Sequence, residues 1–277
     1  MKKLSYTKTL KDLGPNLPVS TKLKNEFVKD RSFSFLEWDM QLEEELSRLL
    51  NKSKNIGIFI NQMLCKLLDN FCGIDFQSLK DHEKTLIINQ LEYVNVMYMY
   101  IYLRVEELGS DLSVSMQCPI CKKEIKNYIF DLNTLDISCK DKDHKRLHEY
   151  TLVKPITYKV NDVSKIITGF NVDITKWDVL EGLNTVKNFN NSTLKKRMFF
   201  SAIVDVLDSS GVIQDFVDKK TVIEKLKKVD IEKLLSLVTE NNAGPSMVTE
   251  IECPHCGNEL EKILEWRYEI FFGNSSL

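Results

Sequence analysis

Glycine and proline are scarce: the 277 residues hold 10 and 6 of them, far below what a disordered or collagen-like chain carries. An excess of one charge is equally absent, with 38 basic against 40 acidic side chains and a net charge of −2. That balance removes the field expected of a dedicated nucleic-acid binder and leaves room only for a local basic patch. No long apolar run exists either. The longest, YVNVMYMYIYL at 93–103, is interrupted by Asn95 and followed by Arg104. It falls short of the roughly 18–20 residues a membrane span needs, so no span is expected. The opening Lys2 and Lys3 have no apolar stretch behind them, so no signal peptide is expected and a reducing cytosol is the expected compartment. At 43% hydrophobic residues the chain has ample material for a core of one or two domains.

Against these absences stand seven cysteines, at 65, 72, 118, 121, 139, 253 and 256. An odd number in a chain without a secretion signal argues against a disulfide framework. Cys65 and Cys72 fall in or beside an apolar helical run and read as core residues. Cys139 falls in a charged stretch and reads as a loop residue. The other four form two matching pairs, CPIC at 118–121 and CPHC at 253–256.

The pattern along the chain predicts an α+β, mainly helical protein. Residues 1–30, punctuated by Gly14, Pro15 and Pro18, read as an extended arm. A first module over 31–138 begins with a short strand at 32–38 and a helix capped by Asp39, with Leu42, Leu46, Leu49 and Leu50 on one face. Helices over 58–71 and 81–108 follow, the last apolar nearly all round, and then alternating residues on both sides of the first Cys pair. A charged linker over 139–151 leads to a second module over 152–277, with a strand at 157–160, helices at 193–207 and 219–239, and the second Cys pair. Landmarks recur. Trp38-Asp39 and Trp177-Asp178 are 139 residues apart (177 − 38), as are Leu68-Asp69 and Leu207-Asp208 (207 − 68); Cys118 and Cys253 are 135 apart (253 − 118). The expectation is two pseudo-repeated helical modules, each ending in a Cys knuckle.

Cys-x-x-Cys on a tight turn lets two sulfurs approach one ion, and two such turns supply the four thiolates of a closed tetrahedral zinc site. Proline after the first Cys favours the turn, and glycine after the second suits a left-handed backbone. Gly257 fits that pattern; Lys122 departs from it. The knuckles are separated by 131 residues, 122–252, against the usual ribbon spacing of about 15–20. Two modules packed about a shared two-fold would bring them together, forming one discontinuous zinc ribbon from Cys118, Cys121, Cys253 and Cys256.

Three other readings use the same residues. A local site of Cys118, Cys121, Cys139 and His144 or His148 would leave Cys253 and Cys256 over. A redox dithiol needs a helix after its first cysteine and further strands, and only 21 residues follow Cys256. A catalytic zinc needs an open position, which four cysteines close, and His255 reads as a turn residue. No phosphate-binding glycine loop, HExxH or nucleophile elbow is present, so no enzymatic activity is expected. A zinc-ribbon nucleic-acid-binding or transcription-related protein is the alternative. Lys122, Lys123 and Lys126 favour it mildly, and Glu250, Glu252, Glu259 and Glu261 around the second knuckle oppose it. Basic residues at 195–197 and 219–228 read as solvated helix faces.

The order FSFLEWDMQLEEEL, LLDNFCGIDF, LSVSMQCPICKKE and NNAGPSMVTEIECPHCGNELE, closing on Phe271-Phe272, resembles the T4-like phage baseplate hub protein family over most of 31–277. The resemblance implies a structural or assembly role in a contractile-tail hub, without enzymatic activity, with other tail and baseplate proteins as partners. It implies a location in the host cytoplasm during assembly, with the virion baseplate as the alternative location. It also places a metal on Cys118, Cys121, Cys253 and Cys256. Phe271 and Phe272 are candidate partner-binding residues, inserting into a neighbouring subunit or closing the protein's own core.

Overall fold

A computed structural model describes residues 5–23, 26–52, 56–142, 145–160, 163–173, 199, 202–213, 219–240, 243–246 and 248–263. The chain starts with β1 (Ser5–Thr9), α1 (Leu10–Leu13), the short pair β2 (Lys22–Leu23) and β3 (Glu26–Phe27), and β4 (Phe33–Phe35). Next come α2 (Met40–Lys52), α3 (Ile56–Leu67), the hairpin β5 (Leu68–Phe71) and β6 (Ile74–Asp75), α4 (Asp81–Asn89) and α5 (Tyr93–Leu108). The first knuckle sits between β7 (Asp111–Gln117) and β8 (Glu124–Asp131), and β9 (Asp136–Lys140) leads into the second half. That half consists of β10 (Leu147–Val160), β11 (Val163–Asp173), β12 (Ile203–Asp208), β13 (Gly211–Val212), α6 (Lys219–Glu224) and α7 (Lys228–Glu240). It closes with β14 (Gly244–Pro245), then β15 (Val248–Glu252) and β16 (Glu259–Ile263) around the second knuckle. No helix among the described residues is long and apolar enough to cross a membrane.

The expectation of a mainly helical protein is corrected: among the described residues strand exceeds helix, 41% against 35%. What recurs is not a helical module but a small antiparallel sheet followed by two helices and a knuckle ribbon. In the second half the sheet order is β10-β11-β12-β13; in the first it is β4-β5-β6, with residues 15–17 bonded alongside β4. There Leu17 N–H donates to Arg31 O at 2.8 Å and Phe33 N–H to Pro15 O at 3.0 Å. Both sheets carry a register shift at the same place. Phe35 pairs with Leu68 but Ser34 with Asn70; Val172 pairs with Ile203 but Asn171 with Asp205. Leu68 therefore corresponds to Ile203, a spacing of 135 (203 − 68) that α5 and α7 (228 − 93) and the cysteines share. The Leu68-Asp69 and Leu207-Asp208 match lies four residues out of this register, a chance recurrence. Trp177-Asp178 lies outside the described residues.

The expected arm is corrected too. Leu10, Leu13 and Leu17 are buried in the first core with Phe59, Met63, Leu64, Phe71, Tyr98 and Ile101, and Val19 is buried as well, because the sheet beside β4 needs that segment. Asn95, the third residue of α5, fixes it: its Oδ1 accepts Val19 N–H and its Nδ2 donates to Val19 O, both at 3.0 Å. Asp230, the third residue of α7 and 135 residues later (230 − 95), does the corresponding work. Its Oδ1 accepts Val153 N–H at 2.8 Å and Tyr150 O–H at 3.0 Å, holding the bulge of β10. Asp230 Oδ2 is buried without a hydrogen-bond partner among the described residues.

Further boundaries shift for local reasons. Asp39 does cap α2, accepting Leu42 N–H at 2.8 Å. The helix expected over 58–71 stops at Leu67, and LDNF becomes β5. The helix expected over 81–108 breaks at 90–92, where Glu92 takes an extended conformation (φ −60°, ψ 134°) and pairs with Arg146 at 3.2 Å. In the second half, 203–207 is strand rather than helix, and 219–239 is two helices. Lys219 and Lys225, in the expected solvated faces, donate instead to Ile203 O and Thr157 O, tying this region to the sheet. The charged linker over 139–151 is strand at both ends, belonging to β9 and β10. Cys139 is a fully buried residue of the first core, paired in register with Tyr6, rather than a loop residue. Cys72 is buried as expected and Cys65 is half-buried.

Candidate metal centre

Each knuckle tops a two-stranded ribbon, with Gln117 opposite Glu124 in one and Glu252 opposite Glu259 in the other. The ribbons alternate, so one face of each is apolar: Met116, Ile125 and Tyr128 meet Leu260 and the buried sulfurs of Cys118 and Cys253 in a third small core. Ile125 and Leu260 are again 135 apart (260 − 125). Burial of these faces against each other brings the knuckles together.

The two turns make the same backbone bonds. Cys118 N–H donates to Lys123 O at 3.0 Å and Lys122 N–H to Cys118 O at 3.0 Å. Cys253 N–H donates to Asn258 O at 2.9 Å and Gly257 N–H to Cys253 O at 2.8 Å. The residue after the second cysteine of each turn is left-handed, and Gly257 adopts φ 66° there at little strain. Lys122 adopts φ 60° in the same position, so the departure in sequence is not a departure in geometry; it is stored strain of about 1–2 kcal/mol.

The four sulfurs lie within 4.8 Å of one another. Cys118 Sγ is 3.8 Å from Cys256 Sγ, and Cys121 Sγ is 3.8 Å from Cys253 Sγ. Exchanging the knuckles exchanges these two pairs, so their equal lengths are what a local two-fold through the cluster requires. A tetrahedron with metal–sulfur bonds of ~2.3 Å has sulfur–sulfur edges of about 3.8 Å. The donor set fits a tetrahedral thiophilic ion, and four sulfurs without other ligands leave no open position.

The thiols differ in how readily they ionise. Cys256 is pulled down to about 6 by the Asn258 side-chain amide, whose Nδ2 donates at 3.2 Å, and by the Asn258 backbone N–H. Cys118 is lowered chiefly by the Cys121 backbone N–H, 3.5 Å from its sulfur. At Cys121 the Lys123 backbone N–H pulls down, but desolvation and the three neighbouring cysteines outweigh it and raise the thiol to about 11. A cluster of thiols already partly inclined to the thiolate form suits a cation and would be repulsive without one.

Two contacts were not legible in the sequence. His255 is a turn residue whose Nε2 reaches Glu124 O at 3.1 Å, linking the second knuckle to the strand after the first. Asn258, which bonds Cys256, would have emerged from aligning the knuckles, since Lys123 occupies its place in the other. Of the local alternative site, Cys139 lies in the first core and His148 reaches Lys145 O at 3.2 Å, while His144 lies outside the described residues. Phe271 and Phe272 also lie outside them. On the second ribbon Glu250 faces Glu261 and Glu252 faces Glu259, all four exposed, and none forms an ion pair among the described residues. Like charges opposite one another work against the ribbon and against phosphate alike.

Comparison with protein families matches residues 39–272 to the family described as T4 bacteriophage base plate protein. Comparisons with curated proteins and with solved structures give no match.

Proposed function

Because the chain belongs to the T4 bacteriophage base plate protein family, we propose that it is a structural or assembly component of the baseplate hub of a contractile tail. It acts without enzymatic activity, through contacts with other tail and baseplate proteins, in the host cytoplasm where the baseplate is assembled. One structural zinc, held by Cys118, Cys121, Cys253 and Cys256, fastens its two halves. The observation that carries this reading is the meeting of two knuckles, far apart in sequence, in one cluster whose sulfur–sulfur contacts of 3.8 Å suit a tetrahedral ion. A closed thiolate site supplies folding energy rather than a reaction centre. Stability gained this way suits a part that is built into a larger structure.

The test has two arms. Elemental analysis of the purified full-length protein should give one zinc per chain; two, or none with reactive dithiols, overturns the metal assignment. Affinity capture from infected cells should bring down tail or baseplate proteins, and their absence overturns the hub role. Salt-sensitive binding of DNA or RNA at physiological ionic strength would point instead to a nucleic-acid-binding ribbon, which the facing glutamates of the second knuckle's ribbon oppose.

A further inference from the structure

The four sulfurs make the equal 3.8 Å contacts that a local two-fold requires, but their surroundings differ. Cys118 and Cys253 are buried, Cys121 is half-buried, and Cys256 is exposed. The exposed sulfur is also the one that a side-chain amide holds: Asn258 Nδ2 lies 3.2 Å from Cys256 Sγ. Asn258 stands two residues beyond its cysteine at the end of the turn, with its own backbone carbonyl accepting Cys253 N–H at 2.9 Å. The backbone is thus fixed from one side while the side chain fixes the thiolate from the other. The corresponding residue of the first knuckle, 135 positions earlier (258 − 123), is Lys123, which carries no amide.

We propose that Asn258 is a positioning residue for the metal, a latch that holds Cys256 closed over the ion and makes the second knuckle the gate through which the ion enters and leaves. The inference rests on the reading of the four cysteines as one metal site. Three ligands are covered to some degree by the small core between the ribbons, so water and competing ligands reach Cys256 first. A Cys256 side chain that leaves the site by rotating into water must break its hydrogen bond from the Asn258 amide to do so. Partners that orient a metal ligand in this way change metal affinity by about 10–100-fold when removed.

Full-length protein loaded with zinc is challenged with the coloured chelator 4-(2-pyridylazo)resorcinol, and the rate and stoichiometry of release are followed for wild type, Asn258→Ala, Asn258→Asp and Lys123→Ala. The latch predicts release about 10-fold faster for both Asn258 variants, with one metal per chain retained at the start, and no change for Lys123→Ala. Cobalt-loaded protein supplies a readout that a purely structural role would not move. Loss of the N–H···S bond makes the thiolate a stronger donor and shifts the sulfur-to-cobalt charge-transfer band to lower energy. Wild-type release rates together with an unshifted cobalt band in both Asn258 variants overturn the latch. A wild-type protein that takes up neither metal overturns the four-cysteine reading itself, and does so before any variant is made.

Discussion

The first and second halves of the molecule solve one structural problem with different residues. Both lay an extended segment against a small sheet, clamp it with the third residue of a helix, and carry that helix on to a Cys knuckle. In the first half the clamp is an amide, Asn95, which satisfies both the N–H and the C=O of Val19. In the second it is a carboxylate, Asp230, which accepts from Val153 and Tyr150 and has one buried oxygen without a partner among the described residues. The knuckles divide the other way: the first forces Lys122 left-handed, and the second uses Gly257 for the same turn. Each half is thus better made at one place and worse at another. The two halves share these features of backbone geometry while the side chains that serve them differ.

Removing what the halves share should have the largest effect. Stripping the ion, or replacing Cys118 or Cys253 by serine, should cost about 4 kcal/mol or more under conditions where metal stands at 1,000 times its Kd, read as a fall in Tm against the loaded protein. Equal losses for the two cysteines would support the local two-fold; a loss confined to one knuckle would break it. Next come the clamps. Asn95→Ala orphans two buried backbone groups of Val19 and should cost about 2–4 kcal/mol in chemical denaturation. Asp230→Asn, which supplies a donor where Oδ2 has no partner among the described residues, should be neutral or stabilising, whereas Asn95→Asp, which removes one, should destabilise. If both exchanges move stability in the same direction, the two clamps are not equivalent. Lys122→Gly relieves the left-handed strain and should stabilise the first knuckle by about 0.5–1 kcal/mol after the entropic cost of glycine, a small rise in Tm with metal bound. The smallest change expected is from Glu261→Lys, which turns a like-charge cross-strand pair with Glu250 into an opposite one; Tm should rise slightly at low salt and return to wild type at high salt.

Much of the site was legible in the sequence because its signal is local: two CPxC turns flanked by alternating residues mark the ribbons without any knowledge of the rest of the fold. The spacing of Cys118 and Cys253 also carried the true register of the repeat. The sheets were harder to see. LLDNF continues the apolar face of α3 without a break, so nothing local announces the change from helix at Leu67 to strand at Leu68. Glu92 breaks its helix for an ion pair with Arg146, 54 residues away, which no local pattern reveals. The buried residues of the amino-terminal segment stand among Gly14, Pro15 and Pro18, whose turn signals masked a strand partner for β4. Cys139 was hidden by charged neighbours, although the alternation of DISCK, with Ile137 and Cys139 both buried, is that of a half-covered strand.

The sheet that contains Cys139 has a consequence for how the chain becomes a protein. Its three strands run in the order β1-β9-β14 and are drawn from the beginning, the middle and the last part of the chain. When the ribosome has released β9, β1 can cover one edge, through the register from Ser5↔Lys140 to Thr9↔Asp136. The other edge must wait for Gly244 and Pro245, more than a hundred residues later, to reach Ser138 and Ile137. Contacts so distant in sequence form late, and a strand edge left open meanwhile is a place where nascent chains stick to one another. Products truncated before β14 should therefore aggregate more readily than chains that include it, because only the latter can cover the second edge of β9.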